Sequence, residues 1–154
     1  SNKTHLSAWA SGGSSAFRKS LWRQLGGFDN IYHPFYWEDV DLSYRAWRRG
    51  YRIIWDPNSK VFHHHESTIG KHFSKNYMNL ISERNRLIFI WKNILSGAMV
   101  KQHLGFLVRQ LLLHPHYWKP FIMALTKLPL IVQKRRIERR DKQVSDQQIV
   151  QYFE

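Results

Sequence analysis

The chain is 154 residues long, enough for one ordinary domain with its own core, and it contains no cysteine, which excludes disulfides and thiolate metal centres. Its formal charge of +13 and pI near 10.3 point to an anionic partner or surface. The charge is uneven: residues 1–70 carry a net +3 and residues 71–154 a net +10, which divides the chain into a chemical part and a basic, helical docking part.

In chain order, Ser11-Gly12-Gly13-Ser14-Ser15 reads as a loop, since glycines and small hydroxyl residues favour turns. Phe17, Leu21, Trp22 and Leu25 recur at helical spacing and predict a helix over 16–25, ended by Gly26-Gly27. A loop over 28–36 leads to a second helix from Glu38 to Arg49, stopped by Gly50. Residues 51–55 and 60–64 predict two short strands around an Asp56-Pro57-Asn58 turn. An apolar stripe from Phe73 through Leu80, Leu87 and Trp91 predicts a long helix over 71–95, expected to cover open core or to mediate self-association. Helices over 101–113 and 118–140 follow, the latter shortened or kinked by Pro120 and Pro129. Ser145-Asp146 caps a last short helix ending near Phe153.

The chemistry concentrates in Gly26-Gly27-Phe28-Asp29 and in the run Tyr36-Trp37-Glu38-Asp39-Val40-Asp41-Leu42-Ser43-Tyr44-Arg45. Gly50-Tyr51, Pro57 and Val61-Phe62-His63-His64-His65 come after it. Three carboxylates fall at the opening turn of a helix, where unpaired N–H groups and the dipole favour the ionised form. A carboxylate fixed there can take a proton from a substrate hydroxyl. Asp41 and Arg45, at i and i+4, read as a helix-surface ion pair. Taken alone, Asp39 reads as a dipole partner. On a strand, His63 and His65 would share one face and His64 the other.

This ordered series resembles the family 2 glycosyltransferases, especially bacterial members that build cell-surface polysaccharides, such as rhamnosyltransferases. The resemblance is strong over about residues 8–95. It implies an α/β fold, the C-terminal, acceptor-side part of a GT-A nucleotide-diphospho-sugar transferase, helix-rich with a small sheet. It implies Asp39 as the general base of an inverting transfer, with Glu38 beside it holding an acceptor hydroxyl or tuning the base. It also implies Trp37 as a stacking platform for a sugar and Ser11, Gly12, Gly13 and Ser14 as the loop beneath donor and acceptor. One of His63, His64 and His65, with His64 favoured, matches an occasional third ligand to the catalytic Mg or Mn ion. The partners implied are a nucleotide-sugar donor and a saccharide or lipid-linked acceptor. The family's upstream Asp-x-Asp and nucleotide-binding unit do not precede the loop, and Asp39-Val40-Asp41 stands in the acceptor-side series. The segment alone is therefore expected to be inactive and to retain no metal.

Lys134, Arg135, Arg136, Arg139, Arg140 and Lys142 crowd the tail beside an apolar stretch over 117–132. That pairing suits an anionic membrane surface, and equally a solvated face of a core helix. Cytoplasmic residence, peripheral on the inner face of the cell membrane, is the matching expectation. The rival reading is a non-catalytic basic module that binds nucleic acid or anionic membrane. No zinc-finger, RNP-type or basic-zipper pattern is present, and the acidic run at 38–41 opposes a phosphate-binding face, so no nucleic acid is expected.

Overall fold

Helices dominate, as apolar residues recurring every three to four positions require. The structure, a computed structural model, describes residues 3–62 and 71–154. In order it contains β1 (His5–Leu6), α1 (Lys19–Leu25), a 3-10 turn (Asn30–Tyr32), α2 (Glu38–Arg48), β2 (Ile54–Trp55) and α3 (Lys75–Asn93). Then come α4 (Gly97–Leu113), a second 3-10 turn (Pro115–Tyr117), α5 (Trp118–Leu125), α6 (Leu128–Arg140) and α7 (Asp146–Gln151). No helix among the described residues is long and apolar enough to cross a membrane.

Local chemistry sets the ends. Gly26 and Gly27 close α1 with φ of 78° and 64°, in the left-handed region that side chains rarely adopt. A Cβ on Gly27 would also stand 2.9 Å from the Trp22 indole nitrogen. Ser74 caps α3 by accepting the Tyr77 N–H, which starts that helix at Lys75 instead of Lys71. Ser145 and Gln148 form a reciprocal capping box on α7. Pro129 stands in the first turn of α6, where its missing N–H does no harm, and the expected helix over 118–140 breaks at Thr126 and Lys127.

The sheet departs from the expected hairpin. β2 pairs antiparallel with β1, His5 opposite Trp55 and Leu6 opposite Ile54, and the Ser7 N–H extends the ladder to the Ile53 carbonyl. Lys60 to Phe62 form no strand, and His63 and His64 lie outside the described residues. The partner of β2 is the N-terminal segment, for which the residue pattern predicts no strand.

Two apolar clusters hold the helices. Leu25, Leu42 and Ala46 join α1 to α2, with Phe17, Leu21, Trp22 and Tyr51 packed around them. Leu87 and Ile88 of α3 centre the larger cluster, which takes in Ile31 and Tyr32 as well as Leu107, Tyr117, Ala124 and Ile131. Residues from both sides of position 70 therefore share one core.

Candidate active site

α2 opens at Glu38 directly after two left-handed residues, Tyr36 with φ 69° and Trp37 with φ 77°. Such conformations in bulky residues cost about 1–3 kcal/mol each and persist only where neighbours impose them. Here α3 imposes them. The Asn85 side-chain amide donates to the carbonyls of Tyr32, Phe35 and Tyr36 at 2.7, 2.8 and 2.9 Å. The Arg84 guanidinium donates to the His33 carbonyl at 2.6 Å and to Asn85 Oδ1. The loop before α2 is thus gripped along its backbone.

Asp39 sits in the first turn and is half-buried. Its Oδ1 accepts the Val40 N–H at 2.8 Å, and its Oδ2 accepts the Gly12 N–H at 3.1 Å. None of the ion pairs among the described residues involves Asp39. Glu38, also half-buried, has one oxygen, Oε2, with no hydrogen-bond partner among the described residues. Burial and the adjacent Asp39 charge raise its pKa above the usual glutamate value, against a backbone hydrogen bond that lowers it. Two neighbouring carboxyls therefore differ: Asp39 is fixed by two amides, and Glu38 is pushed toward its protonated form.

The glycine loop meets this helix. A Cβ on Gly12 would stand 3.4 Å from the Phe28 ring and 3.8 Å from the Asp39 Cβ, ordinary contact distances that place this backbone directly against the carboxylate. Gly13 follows it in the same turn, and the Ser14 N–H closes that turn onto the Ser11 carbonyl. Ser11 and Ser14 line a cleft of about 1000 Å³ together with Trp9, Arg18, Arg52 and Trp55. One short loop thus has Gly12 on Asp39 and its serines in the cleft. Trp37 is half-buried, its indole N–H donating to Ser82 Oγ and its ring 5.3 Å from that of Phe89. His64 lies outside the described residues.

Asp41 corrects the expectation of a surface ion pair. It has no exposed surface, and its two oxygens accept from Tyr32 Oη, Arg45 Nε, Lys92 Nζ and Asn93 Nδ2 at 2.7 to 2.9 Å. Arg45 continues to the Leu25 and Gly27 carbonyls, tying α2 to the double-glycine turn. Burial raises the Asp41 pKa, but the Lys92 and Arg45 charges and two hydrogen bonds outweigh it and hold the carboxyl below its usual range. Asp29 meets the same lysine at 2.7 Å and Lys134 at 3.0 Å. Burial again opposes ionisation, and Lys92, the Ile31 N–H and Lys134 outweigh it, leaving the Asp29 pKa at about 2.

The sequence carried a signal for these unforeseen partners. Ile81, Asn85, Ile88 and Lys92 stand at i, i+4, i+7 and i+11, one stripe of α3, and all four are buried. Polar residues on an apolar stripe require buried partners.

The model for glycosyl transferase family group 2 matches residues 2–134. The chain belongs to that family. Two curated relatives, each an N-acetylglucosaminyl-diphospho-decaprenol L-rhamnosyltransferase of Mycobacterium tuberculosis from a different strain, are 38% identical over 63 residues. The match covers 41% of this chain and 20% of each relative, so the family 2 chain aligns with about a fifth of their length. No solved structure matches it.

Proposed function

We propose that this chain is the acceptor side of an inverting glycosyltransferase of GT-A architecture, with Asp39 as general base. The carrying observation is the Asp39 carboxylate itself: half-buried at the start of α2, held by the Gly12 and Val40 amides, and outside every ion pair among the described residues. Amide donors orient the carboxylate without covering it as a lysine or arginine would. Asp39 then takes the proton of an acceptor hydroxyl as that oxygen attacks the anomeric carbon. The nucleoside diphosphate departs from the opposite face with the bonding pair, and the configuration inverts.

Glu38, beside the base, holds an acceptor hydroxyl or tunes Asp39, and Trp37 offers ring surface to the sugar. Ser11 and Ser14 line the cleft and Gly12 touches Asp39, which does not itself line it; the loop of Ser11, Gly12, Gly13 and Ser14 is read as the floor beneath donor and acceptor. The donor class is a nucleotide sugar, and the acceptor a saccharide or a lipid-linked saccharide. The relatives' names support the latter, along with a role in cell-surface polysaccharide synthesis.

No ligand set for a metal is proposed from the described residues. Among them no group of three or more His, Asp or Glu side chains is placed to hold an ion, and Asp41 is spent on Lys92 and Arg45. A Mg or Mn ion under the donor diphosphate belongs to the proposal for the whole enzyme only.

The test is Asp39→Asn in the full-length transferase that contains this segment. The amide keeps the shape and cannot accept the proton, so kcat falls by about 100-fold to 10,000-fold with little change in acceptor KM. Near-normal turnover would remove Asp39 from the mechanism.

A further inference from the structure

We propose that α4 and the start of α5 seat this chain on the surface of an anionic lipid bilayer, lying in the interface without crossing it. α4 buries one stripe, with Leu107 at its centre and Val100, His103 and Leu111 partly covered. Away from that stripe, Leu104, Val108 and Leu112 follow one another at i, i+4 and i+8, with 53, 56 and 76% of their surface exposed. The Trp118 indole N–H donates to the Leu111 carbonyl at 3.0 Å, which sets the first turn of α5 against the last turn of α4. Trp118 and Ile122 there are 48 and 53% exposed. An aliphatic ridge ending in an exposed tryptophan matches the boundary between acyl chains and headgroups.

The charges carried by α4 and α5 themselves have one sign. Residues 84–137 include ten Lys or Arg and no Asp or Glu. Lys101 lies on the ridge side of α4, three residues before Leu104; Arg109 follows Val108, and Lys119 follows Trp118. All three are exposed, and none of the ion pairs among the described residues involves them. The basic stretch of α6, by contrast, turns partly inward: Lys134 pairs with Asp29 and Arg135 donates to the Trp91 carbonyl. The docking face therefore lies on α4 and α5, ahead of the basic run near the C-terminus.

A second copy of the chain fits this face poorly, because two-fold contact would set one cationic rim of Lys101, Arg109 and Lys119 against the same rim of the other copy. Nucleic acid fits poorly as well, since leucine and valine side chains neither hydrogen-bond bases nor stack on them. Anionic lipid satisfies both the apolar ridge and its cationic rim. The claim is independent of the sugar-transfer reading and survives its failure.

The test is flotation of this chain with vesicles of phosphatidylcholine, with and without phosphatidylglycerol. The chain is expected to float with the anionic vesicles, less so as salt rises, and not with phosphatidylcholine alone. Val108→Glu/Leu112→Glu, at exposed positions, should keep the helical circular dichroism and thermal midpoint yet weaken binding at least about tenfold. Arg139→Gln/Arg140→Gln should leave binding nearly unchanged. A Trp fluorescence blue shift on binding should shrink in Trp118→Phe. Absence of anionic-vesicle binding, equal binding by the glutamate variant, or a ridge-dependent dimer without vesicle binding would each overturn the proposal.

Discussion

A carboxylate with no exposed surface is tolerated only where cations and donors enclose it, and Asp41 meets that condition with Lys92, Arg45, Tyr32 and Asn93. Removing one partner of such a set strands the others. Asp41→Asn should therefore destabilise the fold by about 3–5 kcal/mol, read as a lowered urea midpoint with an unchanged slope. Lys92→Met should also destabilise, and the double variant should lose less than the sum of the two, with a coupling of about 1–3 kcal/mol. Additive losses would mean that the two side chains do not act as a pair. The contrast with Asp39 explains what was readable in the sequence at this scale. Asp-x-x-x-Arg is spelled the same way on a helix surface and in a core. The residues that decide for Asp41, Lys92 and Asn93, arrive 51 and 52 positions later. For Asp39, the place at a helix start was legible from the acidic run that opens α2, while its Gly12 contact required the fold.

At the scale of elements, caps decide boundaries, and the double glycine after α1 separates two costs. Gly26 has φ 78° with open space where a Cβ would go, so Gly26→Ala carries only the left-handed backbone cost of about 1–2 kcal/mol. Gly27 has φ 64° and the Trp22 indole 2.9 Å from that position, so Gly27→Ala adds a clash and displaces Trp22 from Phe17 and Phe28. Gly27→Ala should be the more damaging by at least about 1 kcal/mol in thermal or urea unfolding. Equal losses would show that Trp22 moves aside freely. Such signals explain why the helices were legible: Gly26-Gly27, Gly50 and Ser145 are punctuation that the backbone must obey. The long helix still began four residues later than expected, because Ser74 caps it while the apolar pattern alone runs back to Phe73. The small sheet was expected, but the partner of its strand at Ile54–Trp55 was not, because strand pairing is a tertiary choice. Ile54 and Trp55 have the same β-forming character whether residues 60–64 or His5 and Leu6 lie beside them.

Across the whole molecule, three aspartates join segments far apart in the chain. Asp29 binds the loop after α1 to α3 and α6, and Asp41 binds α2 to α3. Asp146 accepts from Arg48, Tyr44 and the Leu95 and Ser96 amides, closing α7 onto α2 and onto the turn between α3 and α4. Stability should therefore depend on acid in a defined direction. The folded pKa of Asp29, about 2, lies below its ordinary 3.8, and that of Asp41 is also lowered. For a lowered carboxylate the stabilisation is complete above the unfolded value and is lost as pH falls through the folded one. Glu38 has the opposite sign: raised above its ordinary 4.5, its contribution is complete below that value and lost as pH rises through the shifted one. Urea midpoints followed by circular dichroism should thus drop steeply from about pH 4 toward pH 2, and Asp29→Asn should flatten that drop. Glu38→Gln should be more stable than the parent chain at neutral pH, the advantage vanishing below about pH 4. A midpoint independent of acid would mean that the ion pairs of Lys92 do not hold these segments together, and a Glu38→Gln variant no more stable at pH 7 would mean that burial does not strain that carboxyl.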